Sequence, residues 1–245
     1  MVDNMKKRFK AEKFIAYFQN FTNTYMPFND FKNFMKDASE IENIIEIAIS
    51  TRPDCVLTKQ LDYLKELKEK HKINITIELG LQSANYHTLI KINRGHTLSE
   101  YIKSCIEIKS YDFDICTHVI LNLPNDTITD TIETAKIITA LNNNHVKLHA
   151  LYIIEGTKMA EEYKSGKFNI ITLDEYKQRV ITFLEYLSPK ISIQRLIGRA
   201  PEENSLFVNW NTSWWKIRDE IEEEMKKNGL YQGRKIQYIN PIEYK

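Results

Sequence analysis

Residues 73–79 read INITIEL, a short run rich in isoleucine. Such a run is typical of a strand that is buried on both faces of a parallel sheet. Five further runs have this character, the last of them weaker, and we interpret each as a strand: Phe14–Asn20, Ile44–Ser50, Ile115–Leu121, Val146–Ile154 and Lys190–Leu196.

Longer stretches with apolar residues at helical spacing separate the strand runs. Leucines recur every three or four residues from 57 to 67, for example, while Lys and Glu fill the positions between them. Thr172, and either Asp126 or Thr127, are predicted to cap the helices that follow them. Strands alternating with helices form βα units, so the sequence predicts an α/β fold with a parallel sheet. The predicted helices are Asn29–Ala38, Leu57–His71, Ser99–Ser110, Asp126–Leu141 and Leu173–Leu187.

The composition argues against several classes of protein. The 245 residues carry a formal net charge of +1, and 42% of them are hydrophobic, which is typical of a globular chain. No stretch approaches the roughly 18 apolar residues that cross a membrane. The first residues are charged throughout, so no signal peptide is expected. We therefore expect a cytoplasmic protein with no membrane segment and no evident nucleic-acid surface.

The three cysteines, Cys55, Cys105 and Cys116, indicate a reducing compartment. Their spacing matches no common run of zinc or iron–sulfur ligands. Cys105 falls inside a predicted helix and Cys116 inside a predicted strand. No metal-ligand set is therefore predicted for this chain.

Polar side chains collect where the predicted strands end. Gln19 and Asn20 close the first strand, and Glu78 and Gln82 share one face of the third. Ligands of parallel α/β folds bind at the carboxyl ends of strands, so these residues predict a binding site there. For any single one of them, a solvated loop or a capping role remains the commoner alternative.

Histidines and tryptophans allow two interpretations. His118 and His149 lie on later strands, where each is either a ligand or base, or more commonly a hydrogen-bonded core histidine. Trp210, Trp214 and Trp215 follow the last predicted strand. We expect them to be buried rather than to form a stacking platform for bases.

Two longer strings carry a family resemblance. IELGLQSANYHTLIKINRGHT, at Ile77–Thr97, resembles the fourth-strand motif of radical S-adenosylmethionine (radical SAM) enzymes. THVILNLPNDT, at Thr117–Thr127, resembles their fifth-strand motif. With further pieces as far as YQGR, at Tyr231–Arg234, the chain resembles the bacterial YhcC-like radical SAM family from about Phe14 onward.

The resemblance implies a partial TIM-type (βα)6 barrel over residues 1–200, here missing its first βα unit. Residues 201–245 would then form a C-terminal helical extension packed on the barrel. The family resemblance also implies two cofactors, S-adenosylmethionine and a [4Fe–4S] cluster. In the family, the cluster reductively cleaves S-adenosylmethionine to a 5′-deoxyadenosyl radical, which abstracts hydrogen from a substrate. The substrate of this chain is unknown.

The family motifs assign cofactor contacts to the residues of this chain that occupy the same motif positions. Gln82 and Ser83 match the fourth-strand contact, and His118 stands where relatives place a contact to the ribose. Leu123 and Pro124 match the loop on the adenine side. Gln19 and Asn20 stand at the strand end where many relatives have a GGE motif. Glu78 and His149, at other strand ends, complete the predicted cofactor-binding set.

This chain also departs from the family pattern. Asn122, Asn125 and Asp126 replace two glycines and a glutamate in the fifth-strand loop. The CxxxCxxC loop that holds the cluster is absent. We expect the first βα unit to be missing, which leaves the first remaining strand as an unpaired edge.

Three hypotheses remain. The first, which we adopt, is a radical SAM enzyme whose cluster segment lies upstream of Met1. The second is a non-catalytic, truncated or degenerate barrel that binds a nucleotide-like ligand or a partner chain. An ordinary barrel hydrolase or lyase ranks last, because no nucleophile–base pair or metal triad is evident.

Overall fold

The structure is a computed structural model that describes residues 10–199, 201 and 203–236. Residues 1–9, and the part of the predicted C-terminal extension at 237–245, lie outside the described residues. The strands are β1 Phe14–Phe18, β2 Ile44–Thr51, β3 Asn74–Gln82, β4 Asp114–Ile120, β5 His145–His149, β6 Ile153–Ile154, β7 Ser192–Arg195 and β8 Ser205–Phe207. The helices are α1 Phe28–Ser39, α2 Thr58–His71, α3 Tyr86–Lys91, α4 Leu98–Ser110, α5 Ile128–Ala140, α6 Lys158–Lys164, α7 Leu173–Tyr186 and α8 Trp214–Lys227.

Six strands form one sheet in the order β1-β2-β3-β4-β5-β7. β1 and β2, β2 and β3, and β5 and β7 pair in parallel, with Ile47 opposite Ile75 and His145 opposite Ser192. The predicted α/β fold with a six-stranded parallel sheet is therefore confirmed. Among the described residues β1 is an end strand, as the sequence predicted.

The run Val146–Ile154 is two strands and not one. β5 ends at His149, and the chain then leaves the main sheet before β6. β6 pairs antiparallel with β8, where Ile153 lies opposite Phe207, in a separate two-stranded sheet. A continuous apolar run cannot reveal this break, because the partner strand lies about fifty residues further along the chain.

The chain divides into two compact units. Unit 1 holds the described residues of Met1–Gly80 and Ser99–Cys116. Its core is formed by β2 and β3, which are buried on both faces, and by apolar side chains of the helices. Each fully buried side chain of this size stabilises the fold by about 1.5–3 kcal/mol. The largest of them are Phe31, Met35, Ile47, Ile49, Leu61, Leu64, Ile75, Ile77, Leu79 and Tyr101.

Unit 2 holds the described residues of Leu81–Leu98 and Thr117–Lys245. Helix α7 packs between α5 and α8. Thr127 and Thr172 cap α5 and α7 as the sequence predicted, and Asp130 completes a capping box with Thr127. The domain boundary near residue 200 is not tested by this division and stays a prediction.

No helix among the described residues combines the length and the apolar character that a membrane crossing needs.

Candidate functional site

A cavity of about 440 Å³ opens in unit 2. Its walls are mostly apolar, with a few polar side chains among them. They come from the end of β3, from β4, and from the segment that links β5 to α6. The lining residues are Gln82, His118, Ile120, His149, Ala150, Leu151, Tyr152, Ile153, Ile154, Thr157 and Met159.

Three of the predicted cofactor residues meet in this cavity, and each stands at or near a strand end. Gln82 is the last residue of β3 and has a left-handed backbone, with φ of 72°. His118 lies two residues before the end of β4, and His149 is the last residue of β5. Because β4 and β5 are neighbours in the sheet, the two histidines come to lie side by side.

The imidazole rings of His118 and His149 are stacked, with centroids 5.0 Å apart and planes 28° from parallel. Gly198 also lies beside His149. A Cβ built on Gly198 would stand 3.4 Å from His149 Nδ1 and 3.4 Å from the Arg195 guanidinium. Gly198 thus lies against both His149 and Arg195, a neighbourhood that the sequence did not predict.

Asn122 stabilises the segment that leaves the main sheet after β5. Its side chain is 2% exposed, and its Oδ1 accepts a 2.6 Å hydrogen bond from the Leu151 backbone amide. The buried Arg179 of α7 donates to the carbonyl of Leu121, 3.1 Å away. The family places glycine where Asn122 stands, and here the asparagine side chain supports the wall of the cavity.

Ser83, Leu123 and Pro124 are buried but do not line this cavity. Ser83 Oγ accepts a 3.0 Å hydrogen bond from the Asn85 amide, at the start of α3. Leu123 belongs to a hydrophobic cluster with Leu151 and Ile153. Of the three, Leu123 thus packs with two residues that line the cavity.

Gln19, Asn20 and Glu78 belong to unit 1. Gln19 and Asn20 are exposed after the end of β1. Glu78 is buried on β3, and its Oε2 accepts hydrogen bonds from the Tyr17 hydroxyl at 2.6 Å and the Ser50 hydroxyl at 3.1 Å. All three assignments to a cofactor stay predictions.

Tyr152 and Met159 line the cavity but were not among the predicted site residues. Both come from the segment after β5, which the sequence showed only as the continuation of a strand. Thr157 also lines the cavity, and its side chain caps α6.

Comparison with known proteins gives a consistent result. The family model "Radical SAM superfamily" matches residues 2–138, and the model "Radical_SAM C-terminal domain" matches residues 144–227. An uncharacterised protein of Bacillus subtilis, YtqA, is 32% identical over 97% of this chain and 73% of its own length. The uncharacterised MJ0486 of Methanocaldococcus jannaschii is 37% identical over 96% of this chain and 73% of its own length. Protein YhcC of Escherichia coli is 28% identical over 90% of this chain and 71% of its own length.

Solved structures share the fold. The archaeal Elp3 of Methanocaldococcus infernus, with an N-terminal deletion, has a TM-score of 0.80 at 18% identity. The match covers 94% of this chain and 58% of that one. Coproporphyrinogen III oxidase (HemN) of Escherichia coli, described as a radical SAM enzyme, has a TM-score of 0.53 at 20% identity, over 66% of this chain and 38% of its own.

Proposed function

The chain belongs to the radical SAM superfamily, and from this membership we propose that it binds S-adenosylmethionine in the unit 2 cavity. The family uses this cofactor with a [4Fe–4S] cluster to make a 5′-deoxyadenosyl radical that takes hydrogen from a substrate. We propose the same chemistry for the protein to which this chain contributes. The observation that carries the proposal is the meeting of Gln82, His118 and His149 in one cavity.

The cavity has the character of a small-molecule site. Its volume of about 440 Å³ falls within the range of about 300–1,000 Å³ that such sites occupy. Its walls are mainly apolar and offer only a few polar groups, which suits a ligand with a flat ring and a hydroxylated sugar. These features support the adenosyl part of S-adenosylmethionine as the ligand.

Each polar residue of the cavity has a different role in the proposed binding of S-adenosylmethionine. The Gln82 amide both donates and accepts hydrogen bonds, so it suits the polar edge of a ligand. His118 would contact the ribose, as the family resemblance implies. The stacked position of His149 limits the orientations of the His118 ring, and the segment 150–154 forms a mostly apolar wall.

The cysteines of this chain do not fit a [4Fe–4S] cluster. Such clusters are held by thiolates that converge on one point. Cys105 and Cys116 are completely buried, one within α4 and the other within β4, and only Cys55 is partly exposed. The sequence also has no CxxxCxxC run. The proposal for this chain therefore concerns the binding of S-adenosylmethionine alone.

Calorimetric titration of the purified chain with S-adenosylmethionine tests the proposal. We expect saturable binding at one site. Gln82→Asn, which tolerates the left-handed backbone but withdraws the amide, should weaken binding about tenfold, or roughly 1.4 kcal/mol. The control is Gln178→Asn, a change on the exposed surface of α7, which should leave the affinity unchanged. Absence of binding, or equal affinities for the two variants, would refute the proposal.

A further inference from the structure

A partly buried arginine, Arg195, ends β7. Its side chain forms no hydrogen bond and no ion pair with any residue that the structure describes. By contrast, the buried guanidinium of Arg179 lies 2.8 Å from the Glu175 carboxylate. A guanidinium keeps its charge in proteins, and its partial burial without a partner costs free energy that a bound anion would offset.

An irregularity in the pairing of β5 with β7 places Arg195 beside a second cation. Val146 lies opposite Ile193. A regular register would next set Lys147 opposite Gln194, but the register shifts and Arg195 takes that place. Irregularities of this kind re-aim side chains and are common beside active sites. Because Lys147 is only 8% exposed, the two positive groups are neighbours where water screens them poorly, and an anion beside them would relieve their repulsion.

Gly198 lies against both the Arg195 guanidinium and the His149 imidazole. A Cβ at this position would stand 3.4 Å from Arg195 Nη1 and 3.4 Å from His149 Nδ1. The backbone of Gly198 has no positive φ, so its conformation alone does not call for glycine. The guanidinium and the imidazole thus border one small space, which a side chain at residue 198 would fill.

Arg195 adjoins the cavity proposed for S-adenosylmethionine. His149 lines that cavity, and the same imidazole borders Gly198 together with Arg195. β5 and β7 are neighbours, so their last residues, His149 and Arg195, stand at the carboxyl end of the sheet, where ligands of parallel α/β folds bind. Arg195 is partly exposed but does not line the cavity. It therefore suits a second molecule that lies next to the cofactor.

We propose that Arg195, with Lys147 opposite it, binds an oxyanion of the molecule on which the radical acts, so that the substrate is a carboxylate or phosphate compound. This inference rests on the proposed function, because it assigns a class of substrate to the same site. The planar guanidinium donates two parallel hydrogen bonds to either oxyanion, and Lys147 adds positive charge. The anionic group takes no part in hydrogen abstraction. It holds one end of the substrate, so that a C–H bond of the same molecule is oriented toward the cavity.

Titration of the purified chain with two simple anions, inorganic phosphate and malonate, tests the inference. The titrations are made without S-adenosylmethionine, and nuclear magnetic resonance follows the backbone amide of Gly198, which lies against Arg195. We expect a saturable shift of this signal with at least one of the two anions. The anion that binds more tightly identifies the group that the substrate carries.

Arg195→Gln removes the charge but keeps a polar side chain, and it should weaken anion binding by about tenfold or more. Arg195→Lys keeps the charge without the planar fork, so its affinity should lie between the two, and it keeps the test decisive if the first variant does not fold. The matched control is Arg218→Gln on α8, where the guanidinium is already bound to Asp219 at 2.6 Å. This control should bind the anion as the unchanged chain does.

A saturating concentration of S-adenosylmethionine should leave the anion affinity unchanged, because a substrate and its cofactor bind together. Displacement of the anion would show that Arg195 holds the carboxylate of the cofactor and would overturn the substrate assignment. Binding of neither anion, or equal affinities for Arg195→Gln and Arg218→Gln, would overturn it as well. Failure of the proposed function gives a different result, since a chain that binds phosphate or malonate but not S-adenosylmethionine retains the anion site at Arg195.

Discussion

The backbone amide of Leu121 donates to the carbonyl of His149, 3.4 Å away, at the point where β4 and β5 end. This contact ties the ends of the two strands together just beyond the stacked imidazoles of His118 and His149. The histidine pair is therefore held by the sheet itself. The segment that follows His149 forms the wall of the cavity.

Removal of either imidazole should weaken the binding of S-adenosylmethionine. His118→Ala takes away the proposed ribose contact, and His149→Ala takes away the ring that limits the orientations of His118. We expect each change to raise the Kd about tenfold, as measured by calorimetry. His87→Ala, an exposed histidine of α3, serves as the matched control and should have no effect.

If His118→Ala alone weakens binding, His149 does not position its neighbour. If neither variant differs from His87→Ala, the histidine pair is a structural feature of the strand ends, the alternative that the sequence left open.

Asn122→Ala should destabilise the fold by about 1–3 kcal/mol. The change leaves the buried amide of Leu151 without its acceptor and leaves room for the segment after β5 to move. Urea unfolding measures the difference, with Asn33→Ala on the exposed face of α1 as the control. A loss as small as that of the control would show that water replaces the Asn122 side chain.

The sequence predicted the fold where a local pattern determines it. Apolar runs located the strands of the main sheet to within a few residues, and Thr127 and Thr172 cap the helices as expected. It did not predict β6, because two residues that pair with a distant strand leave no periodic signal of their own. The segment between β5 and β6 is stabilised by the hydrogen bond from the Leu151 amide to the buried Asn122 side chain, and not by a turn residue that the sequence would show.

The candidate site was predictable in part for the same reason. The sequence could predict that Gln82, His118 and His149 lie close together, because each stands at or near the carboxyl end of a strand in one parallel sheet. Tyr152 reaches the cavity only because the chain leaves the sheet after His149. Trp215 is 53% exposed at the start of α8, contrary to the expectation that the tryptophans are buried.

Tyr17→Phe should destabilise the chain by about 1–3 kcal/mol, because it removes the hydroxyl that donates to the buried Glu78 carboxylate. Ser50 still donates to the same oxygen, which favours the lower end of this range. The control is Tyr25→Phe, at a position that is 81% exposed. Equal free energies of unfolding for the two variants would show that solvent satisfies Glu78 as well as Tyr17 does.

Asp126, at the end of the fifth-strand loop, is the described carboxyl group whose pKa burial raises above the ordinary value of 3.8. Hydrogen bonds from Thr88 and Ser83 act in the opposite direction, as does the charge of Arg179, while the charge of Asp130 raises the pKa further. The family has glutamate at this position, so this chain holds a shorter acid in a partly buried site.

Because the pKa of Asp126 is higher in the folded chain than in the unfolded chain, the folded state binds its proton more tightly. Its contribution to stability is therefore present below the unfolded pKa and is lost as the pH rises from about 3.8 through the raised value. Asp126→Asn keeps an acceptor for the Thr88 hydroxyl but cannot titrate. In urea unfolding from pH 4 to pH 7, this variant should gain stability relative to the unchanged chain as the pH rises. Asp37→Asn, on the exposed surface of α1, should show no such gain. Parallel pH profiles for all three proteins would mean that the Asp126 carboxylate is as well solvated in the folded chain as in the unfolded one.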